Sequence, residues 1–161
     1  MGGTWACGLG CLVTLVGLAI GSPLALAGQE AGVRAAVEKI FEGMRTADSE
    51  MVRGVFASEA RFAIIDRRSG EATIRRQDVD GWIEAIEGSE GSWDERVYDL
   101  DIRVDGDMAS VWAPYTFYRD GVISHCGINS IELLRDAEGW KVTQLSDTRR
   151  RDSCPDPLGG P

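Results

Sequence analysis

The chain has 161 residues, 43% of them hydrophobic, which suits one domain with a substantial core. Lys+Arg 17 against Asp+Glu 26 gives a net charge of −9, with a pI near 4.6. That balance argues against nucleic acid, whose binding rests on phosphate neutralisation by Lys and Arg, and against docking on anionic lipid. The Arg67-Arg68 and Arg75-Arg76 pairs and the Arg149-Arg150-Arg151 run read as strand-edge and solvated charge.

Residues 1–27 carry no charged side chain. Leu9 to Ile20 is an apolar run, and Ala25-Leu26-Ala27 is the A-x-A ending of a signal peptide cut before Gly28. This reading predicts an exported protein, periplasmic or extracellular, without stable membrane insertion after cleavage. An uncleaved anchor is the competing reading, because Ala6 to Ala27 is long enough to span a bilayer. Cleavage would leave Cys126 and Cys154, an even number in an oxidising compartment, and predicts a disulfide between them. The alternative is two free thiols. With His125 the only histidine, a Cys/His zinc site lacks ligands, and no metal is expected.

In the mature region, Val33, Ala36, Val37, Ile40, Phe41 and Met44 fall on one helix face over about Gln29 to Arg45. Asp48 is an N-cap for a short helix with Met51, Val52, Val55 and Phe56 inward. Ala60 to Asp66 reads as a strand, Arg68-Ser69-Gly70 as a turn, and Ala72 to Arg75 as a returning strand. Asp78 caps a third helix with the stripe Val79, Trp82, Ile83, Ile86. A small-residue loop, Gly88 to Ser92, leads into long strands from Trp93 onward. The tail 155–161 reads as disordered after a domain spanning 28–154.

Two Asp-Gly pairs set the strand register. With Asp105-Gly106 as a two-residue loop, Val104 opposes Asp107. Tyr98, Leu100, Ile102 and Val104 then share a face with Ala109, Val111, Ala113, Tyr115 and Phe117. At the second pair, Arg119-Asp120-Gly121 suits a three-residue loop with Gly left-handed. Tyr115 then opposes His125, and His125 and Asn129 point inward with Ile131 and Leu133, while Cys126 faces out. A two-residue loop would reverse each of these assignments. Pro114 and Gly127 are natural bulge sites. The sum is an α+β plan: a curved antiparallel sheet, cone-shaped, packed against three helices in the N-terminal half. The mouth of such a cone is a usual ligand site.

This order of elements resembles the nuclear transport factor 2-like superfamily, which includes ketosteroid isomerase, scytalone dehydratase and SnoaL-like polyketide cyclases. More narrowly, Ser124-His125-Cys126-Gly127-Ile128-Asn129, Gly139-Trp140-Lys141-Val142, Asp147-Thr148-Arg149-Arg150 and Cys154 resemble a bacterial, lumazine-binding-like branch. The resemblance covers roughly Gln29 to Cys154. It implies the cone fold, while the superfamily hosts enzymes, carriers and assembly modules alike.

Three functional readings follow. The first is a binder of a small apolar or aromatic molecule, with Trp82, Tyr98, Tyr115, His125 and Asn129 at the ligand. The second is an isomerase, dehydratase or cyclase with His125 as general base and Tyr98 or Tyr115 as donor. The third is a structural or dimerisation module whose cone is filled by its own side chains. In this last sense His125 is a buried histidine fixing the hairpin, and Trp82 and Trp140 are core. Asp99 and Asp101 alternate to the solvent face and supply no second base. There is no Gly-rich phosphate loop, and no cofactor is expected. Met108, Trp112 and Tyr118 share the outer face and predict a homodimer contact, against a monomer with scattered surface aromatics.

Overall fold

The computed structural model describes residues 23–67 and 70–156. They form the helices α1 (Pro23–Thr46), α2 (Ser49–Arg53) and α3 (Val79–Glu87). The strands are β1 (Phe56–Asp66), β2 (Thr73–Gln77), β3 (Trp93–Val97), β4 (Asp101–Asp105), β5 (Met108–Arg119), β6 (Val122–Asp136) and β7 (Gly139–Thr148). The apolar run Leu9 to Ile20 lies outside the described residues.

Helix α1 begins at Pro23 rather than near Gln29, so the junction between Ala27 and Gly28 falls inside its first turns. Proline suits a first helical turn, where its missing N–H has no intrahelical partner to lose. The periodic face of α1 is wholly buried: Val33, Ala36, Val37, Ile40, Phe41 and Met44. The two predicted caps are in place. Asp48 accepts from the Met51 N–H at 2.9 Å and Asp78 from the Gly81 N–H at 3.2 Å. In α3, Ile83 and Ile86 are buried, while Trp82 packs edge-on against Phe56 and Phe62. Among the described residues no helix is long and apolar enough to cross a membrane.

The sheet runs β2-β1-β7-β6-β5-β3, with β4 also on β5. It is the expected α+β plan with one addition: β1 and β7 pair in parallel, which closes the edge that the antiparallel meander leaves on β7. One face receives the helices, α1 against β3, β4 and β7 and α3 against β1. On that face Ala109, Val111, Ala113, Ile131, Leu133 and Val142 join the α1 stripe in a single core cluster. Each large aliphatic side chain so enclosed contributes about 1.5–3 kcal/mol relative to exposure.

Three local irregularities set which side chains reach that face. The first turn is Gly106-Asp107, with Asp105 opposite Met108 and Val104 opposite Ala109. The residues differ from the expected pair, but the slip is even, so the face assignments of β4 and β5 survive. The second turn is a two-residue loop, with Arg119 opposite Val122 and both Asp120 and Gly121 at positive φ, 54° and 76°. That is type I′ geometry, which Asp-Gly accepts readily, and it replaces the three-residue loop. A bulge then inserts Ser124, because Tyr118 pairs Ile123 while Phe117 pairs His125. The extra residue reverses the reversal, so His125 and Asn129 still face the helices, with Phe117 and not Tyr115 opposite His125.

The third irregularity breaks the strand expected through Tyr98. Val97 pairs Tyr115 and Asp101 pairs Trp112, leaving Tyr98, Asp99 and Leu100 opposite Ala113 and Pro114. Asp99 adopts φ 49°, a left-handed conformation that Asp tolerates better than most residues. Pro114 contributes no N–H there, and its carbonyl accepts from the Tyr98 N–H at 3.1 Å. This one-residue excess puts Trp93, Glu95 and Val97 on the helix-covered face and Tyr98 on the other.

The chain's own C-terminal segment covers part of the outer face. Cys126 and Cys154 are joined by a disulfide, with Cα atoms 5.5 Å apart. Cys126 and Arg150 exchange backbone hydrogen bonds of 2.9 Å in both directions. Thr116 donates to the Pro155 carbonyl at 2.8 Å and Tyr118 to the Asp156 carboxylate at 2.6 Å. Pro155 and Asp156 therefore dock on β5, whereas residues 157–161 of the expected disordered tail lie outside the described residues. Tyr118 is consequently 3% exposed and leaves the predicted outer stripe, which reduces to Met108 and Trp112, with Leu134 exposed opposite Met108.

Candidate functional site

A cavity of about 920 Å³ opens on the helix-covered face, at the end of the sheet where β5 finishes and β6 begins. Its floor is apolar: Ile40, Phe41 and Met44 from α1, Phe62 and Ile64 from β1, Trp82 from α3 and Leu145 from β7. Trp93 and Phe117 stand against each other edge-to-face at 6.2 Å and form a second aromatic wall.

The polar groups come from neighbouring strands in register. Asn129 pairs Ala113 on one side and Asp147 on the other, so its side chain and that of Asp147 project into the same row. Phe117 pairs Glu95 on one side and His125 on the other, which places the carboxyl group and the imidazole on the same face. Asn129 Nδ2 donates to Glu95 Oε1 at 2.7 Å. Arg149 forks onto Asp147, Nη2 to Oδ2 at 2.8 Å and Nε to both oxygens at 3.1–3.2 Å. Ser124 Oγ lies 3.2 Å from His125 Nδ1.

Gly127 permits one further contact. A side chain there would collide with the Thr148 carbonyl, 1.8 Å from where its Cβ would sit. With no side chain in the way, β7 closes in and that carbonyl accepts from the Tyr115 hydroxyl at 3.0 Å. Tyr115 is thereby sealed, 1% exposed, behind the edge of the His125 ring.

Burial sets the protonation states. It pushes the Glu95 carboxyl up to about 7, with the Asn129 hydrogen bond opposing and the neighbouring Asp147 charge reinforcing. Burial lowers His125 to about 4, helped by the positive charges of Arg149 and Arg151, so the ring is neutral at neutral pH. Asp147 is raised by burial, against the hydrogen bonds and charge of Arg149. Burial and the two carboxylates hold the Tyr115 phenol above its ordinary range. A carboxyl group titrating near neutrality, hydrogen-bonded to a carboxamide and on the same face as a neutral imidazole across Phe117, can anchor a polar group of a ligand. It can also exchange a proton there.

Of the residues expected at a ligand, Trp82, His125 and Asn129 line the cavity, and Tyr98 and Tyr115 do not. Tyr98 is turned away by the Asp99 irregularity, and Tyr115 is packed beneath the lining. Val111, Ala113, Ile131 and Leu133, which share the inward face, belong to the closed core under α1, with Leu100 packed against it. Trp140 is core as well, buried with Arg135 over its ring at 5.5 Å.

Sequence reasoning missed Trp93, Glu95, Asp147 and Arg149. For the last two the signal was present: Leu145 and Asp147 alternate on β7 and Arg149 continues the parity just past its end, so an inward Leu145 implies an inward ion pair. For Glu95 it was hidden, because the parity of β3 depends on the Asp99 irregularity. Arg67, Arg75, Arg150 and Arg151 are exposed, as their reading as solvated charge expects, yet they line the cavity, while Arg149 is part-buried on Asp147.

A family model described as "Putative lumazine-binding" matches residues 28–143. No functionally curated protein matches the chain. Many solved structures share the fold. A protein of unknown function from Mycobacterium tuberculosis is 17% identical, with TM-score 0.66, covering 85% of this chain and 80% of that one. A nuclear transport factor 2-like protein with a cystatin-like fold from Novosphingobium aromaticivorans is 14% identical, with TM-score 0.64, covering 81% and 87%. A "putative dehydratase" of the same fold family from Streptomyces avermitilis is 14% identical, with TM-score 0.64, covering 78% and 99%. The family match covers most of the chain, which belongs to the putative lumazine-binding family, and its fold is the one seen in nuclear transport factor 2-like proteins.

Proposed function

We propose that the chain is an exported protein that binds a small, largely apolar or aromatic molecule in this cavity. The observation that carries the reading is the cavity itself. At about 920 Å³, with an apolar floor and a few convergent polar groups, it falls in the range of ligand sites and is too large for a self-filled module. The family description favours a heteroaromatic ligand. In this reading Trp82 and Trp93 flank the ligand body, and His125, Asn129 and Glu95 hydrogen-bond its polar edge. The disulfide supports export, since such bridges persist in oxidising compartments. Cleavage before Gly28 is tested by N-terminal sequencing of the exported protein.

A thermal-shift screen containing lumazine and other heteroaromatics tests binding. A ligand at a hundredfold excess over its dissociation constant adds about 2.7 kcal/mol of stability. A hit recovered chemically unchanged, and weakened by His125→Ala, supports the binder. No hit across a broad library would count against it.

A second reading is proton-transfer catalysis of the isomerase, dehydratase or cyclase kind, for which the Streptomyces relative offers a parallel. What favours it is a carboxyl group titrating near 7. His125 titrates near 4 and is a weak base, so Glu95 is the better proton acceptor and His125 the hydrogen-bonding partner. Turnover of a hit that disappears in Glu95→Gln would select this reading over simple binding.

Self-association through the outer face is part of the same proposal. Met108, Trp112 and Leu134 are each at least half exposed there. Sedimentation at micromolar concentration tests it: a dimer dispersed by Trp112→Asp supports the contact, and a monomer unaffected by the substitution rejects it.

A further inference from the structure

The chain as a whole is strongly acidic, with Lys+Arg 17 against Asp+Glu 26, yet its cavity reverses that balance. Six arginines line it against three carboxyl groups, Glu95, Asp147 and Asp152. They come from separate elements: Arg67 follows β1, Arg75 lies on β2, Arg119 ends β5, and Arg149, Arg150 and Arg151 follow β7. Local sequence composition therefore does not explain the cluster; the fold gathers it.

We infer that the ligand is an anionic amphipathic molecule, an aromatic or apolar body carrying a carboxylate, sulfonate or phosphate held by the arginine rim. This rests on the binding reading above and names its ligand class. Among the described residues no carboxylate pairs with Arg119, Arg150 or Arg151, so these guanidinium groups enter the cavity uncommitted. Arg119 lies over the Trp93 ring at 6.0 Å, joining a cation to an aromatic wall as an aromatic acid requires. The Arg150–Cys126 bridge and the Cys126–Cys154 disulfide fix the backbone that carries Arg150 and Arg151. A cation held on fixed backbone loses less freedom on meeting its anion. Charge inversion inside an acidic protein also selects against cationic molecules and against bulk polyanions, which the outer surface repels.

The test uses two dyes with one anilinonaphthalene body. 8-Anilinonaphthalene-1-sulfonate carries the anion, and N-phenyl-1-naphthylamine lacks it. Fluorescence titration of the full chain at about 20 mM salt should give the sulfonate at least about a tenfold tighter Kd. The advantage should shrink at about 500 mM salt, where charges at the cavity mouth are screened. In Arg150→Gln/Arg151→Gln the ratio of the two affinities should fall toward one. Equal affinities, or tighter binding of the neutral dye, would overturn the anion class while leaving the binder standing. A preference indifferent to both salt and the double substitution would overturn the rim as its source. Binding of neither dye would bring down the binding reading beneath it. The salt series needs no variant, so a misfolded double substitution does not spoil the test.

Discussion

The helix-covered face of one sheet behaves as two regions. Toward the β4–β5 turn it is closed: Val111, Ala113, Ile131 and Leu133 meet the α1 stripe and leave no chamber. Toward the β5–β6 turn the same strands stand open around about 920 Å³. In the closed half, burial in β5 switches residue by residue from Met108 to Ala113, and a one-residue shift in the β6–β7 pairing between Glu132 and Leu133 leaves Leu133, Val142 and Leu145 all buried. The open half contains the Asp99 and Ser124 irregularities and a C-terminal segment that bends back across β6. The interruption in the closed half is absorbed by apolar side chains, whereas those in the open half bring polar groups to the covered face.

The comparison breaks most visibly where the floor of the open half meets the core. Phe62 is buried and supports Trp82 edge-on, so Phe62→Ala is expected to cost about 3–5 kcal/mol. Urea melts should show a lower midpoint with an unchanged slope. A loss under 1 kcal/mol would mean that the open half carries little of the stability.

The disulfide comes next. It closes a loop of sequence separation 28, for which chain entropy gives about 3–4 kcal/mol. Cys154→Ser should lower the unfolding free energy by about that amount. It should also expose Tyr118 to quenchers, because the segment covering it would be released. Loss of stability without Tyr118 exposure would separate the bridge from the cover.

The polar row sharpens the contrast through pH. Glu95 is raised from 4.5 to about 7 on folding, so the folded state binds its proton more tightly. That contribution is most favourable below pH 4.5 and is lost as pH rises through 7. His125 is lowered from 6.5 to about 4, and its contribution is lost as pH falls through that window. The two slopes oppose each other between about pH 4.5 and 6.5, and the wild type should be nearly flat there. Glu95→Gln keeps the Asn129 contact and removes one slope. It should stabilise the protein at pH 8 by on the order of 1–2 kcal/mol and uncover a loss toward pH 4. A variant as flat as the wild type would contradict both shifts.

The smallest expected effect tests the positioning of α3 over the cavity. Asp78→Ala removes its N-cap and should cost about 0.5–2 kcal/mol by thermal or urea melting.

Much of this was legible in the residues. The α1 stripe, the Asp48 and Asp78 caps and the alternation of β5 each follow from a period or a capping geometry that one segment contains. The disulfide was legible from Cys126 and Cys154, the two cysteines outside the apolar N-terminal run. The candidate site was only partly so. Trp82 lines the cavity, and so do His125 and Asn129, both expected there through a turn assignment that the structure replaces. The parity of Glu95 depends on where a left-handed residue absorbs a mismatch between two strands, which no single segment states. Arg149 was read with its neighbours as solvated charge and Asp147 was not weighed, whereas here the two pair on the covered face.

The extra residue at Asp99 has a consequence for how this chain tolerates insertion and deletion. Removing one residue there would not merely shorten a surface connection. Since side chains alternate strictly, one of the flanking segments would have to turn over. If β4 kept its pairing, Glu95 and Trp93 would leave the cavity and Asp94 and Arg96 would enter. A single-codon change outside the cavity lining could thus exchange one set of polar groups for another without altering any residue of the site. In this architecture, length variation at the strand irregularities is a route to new chemistry as direct as substitution.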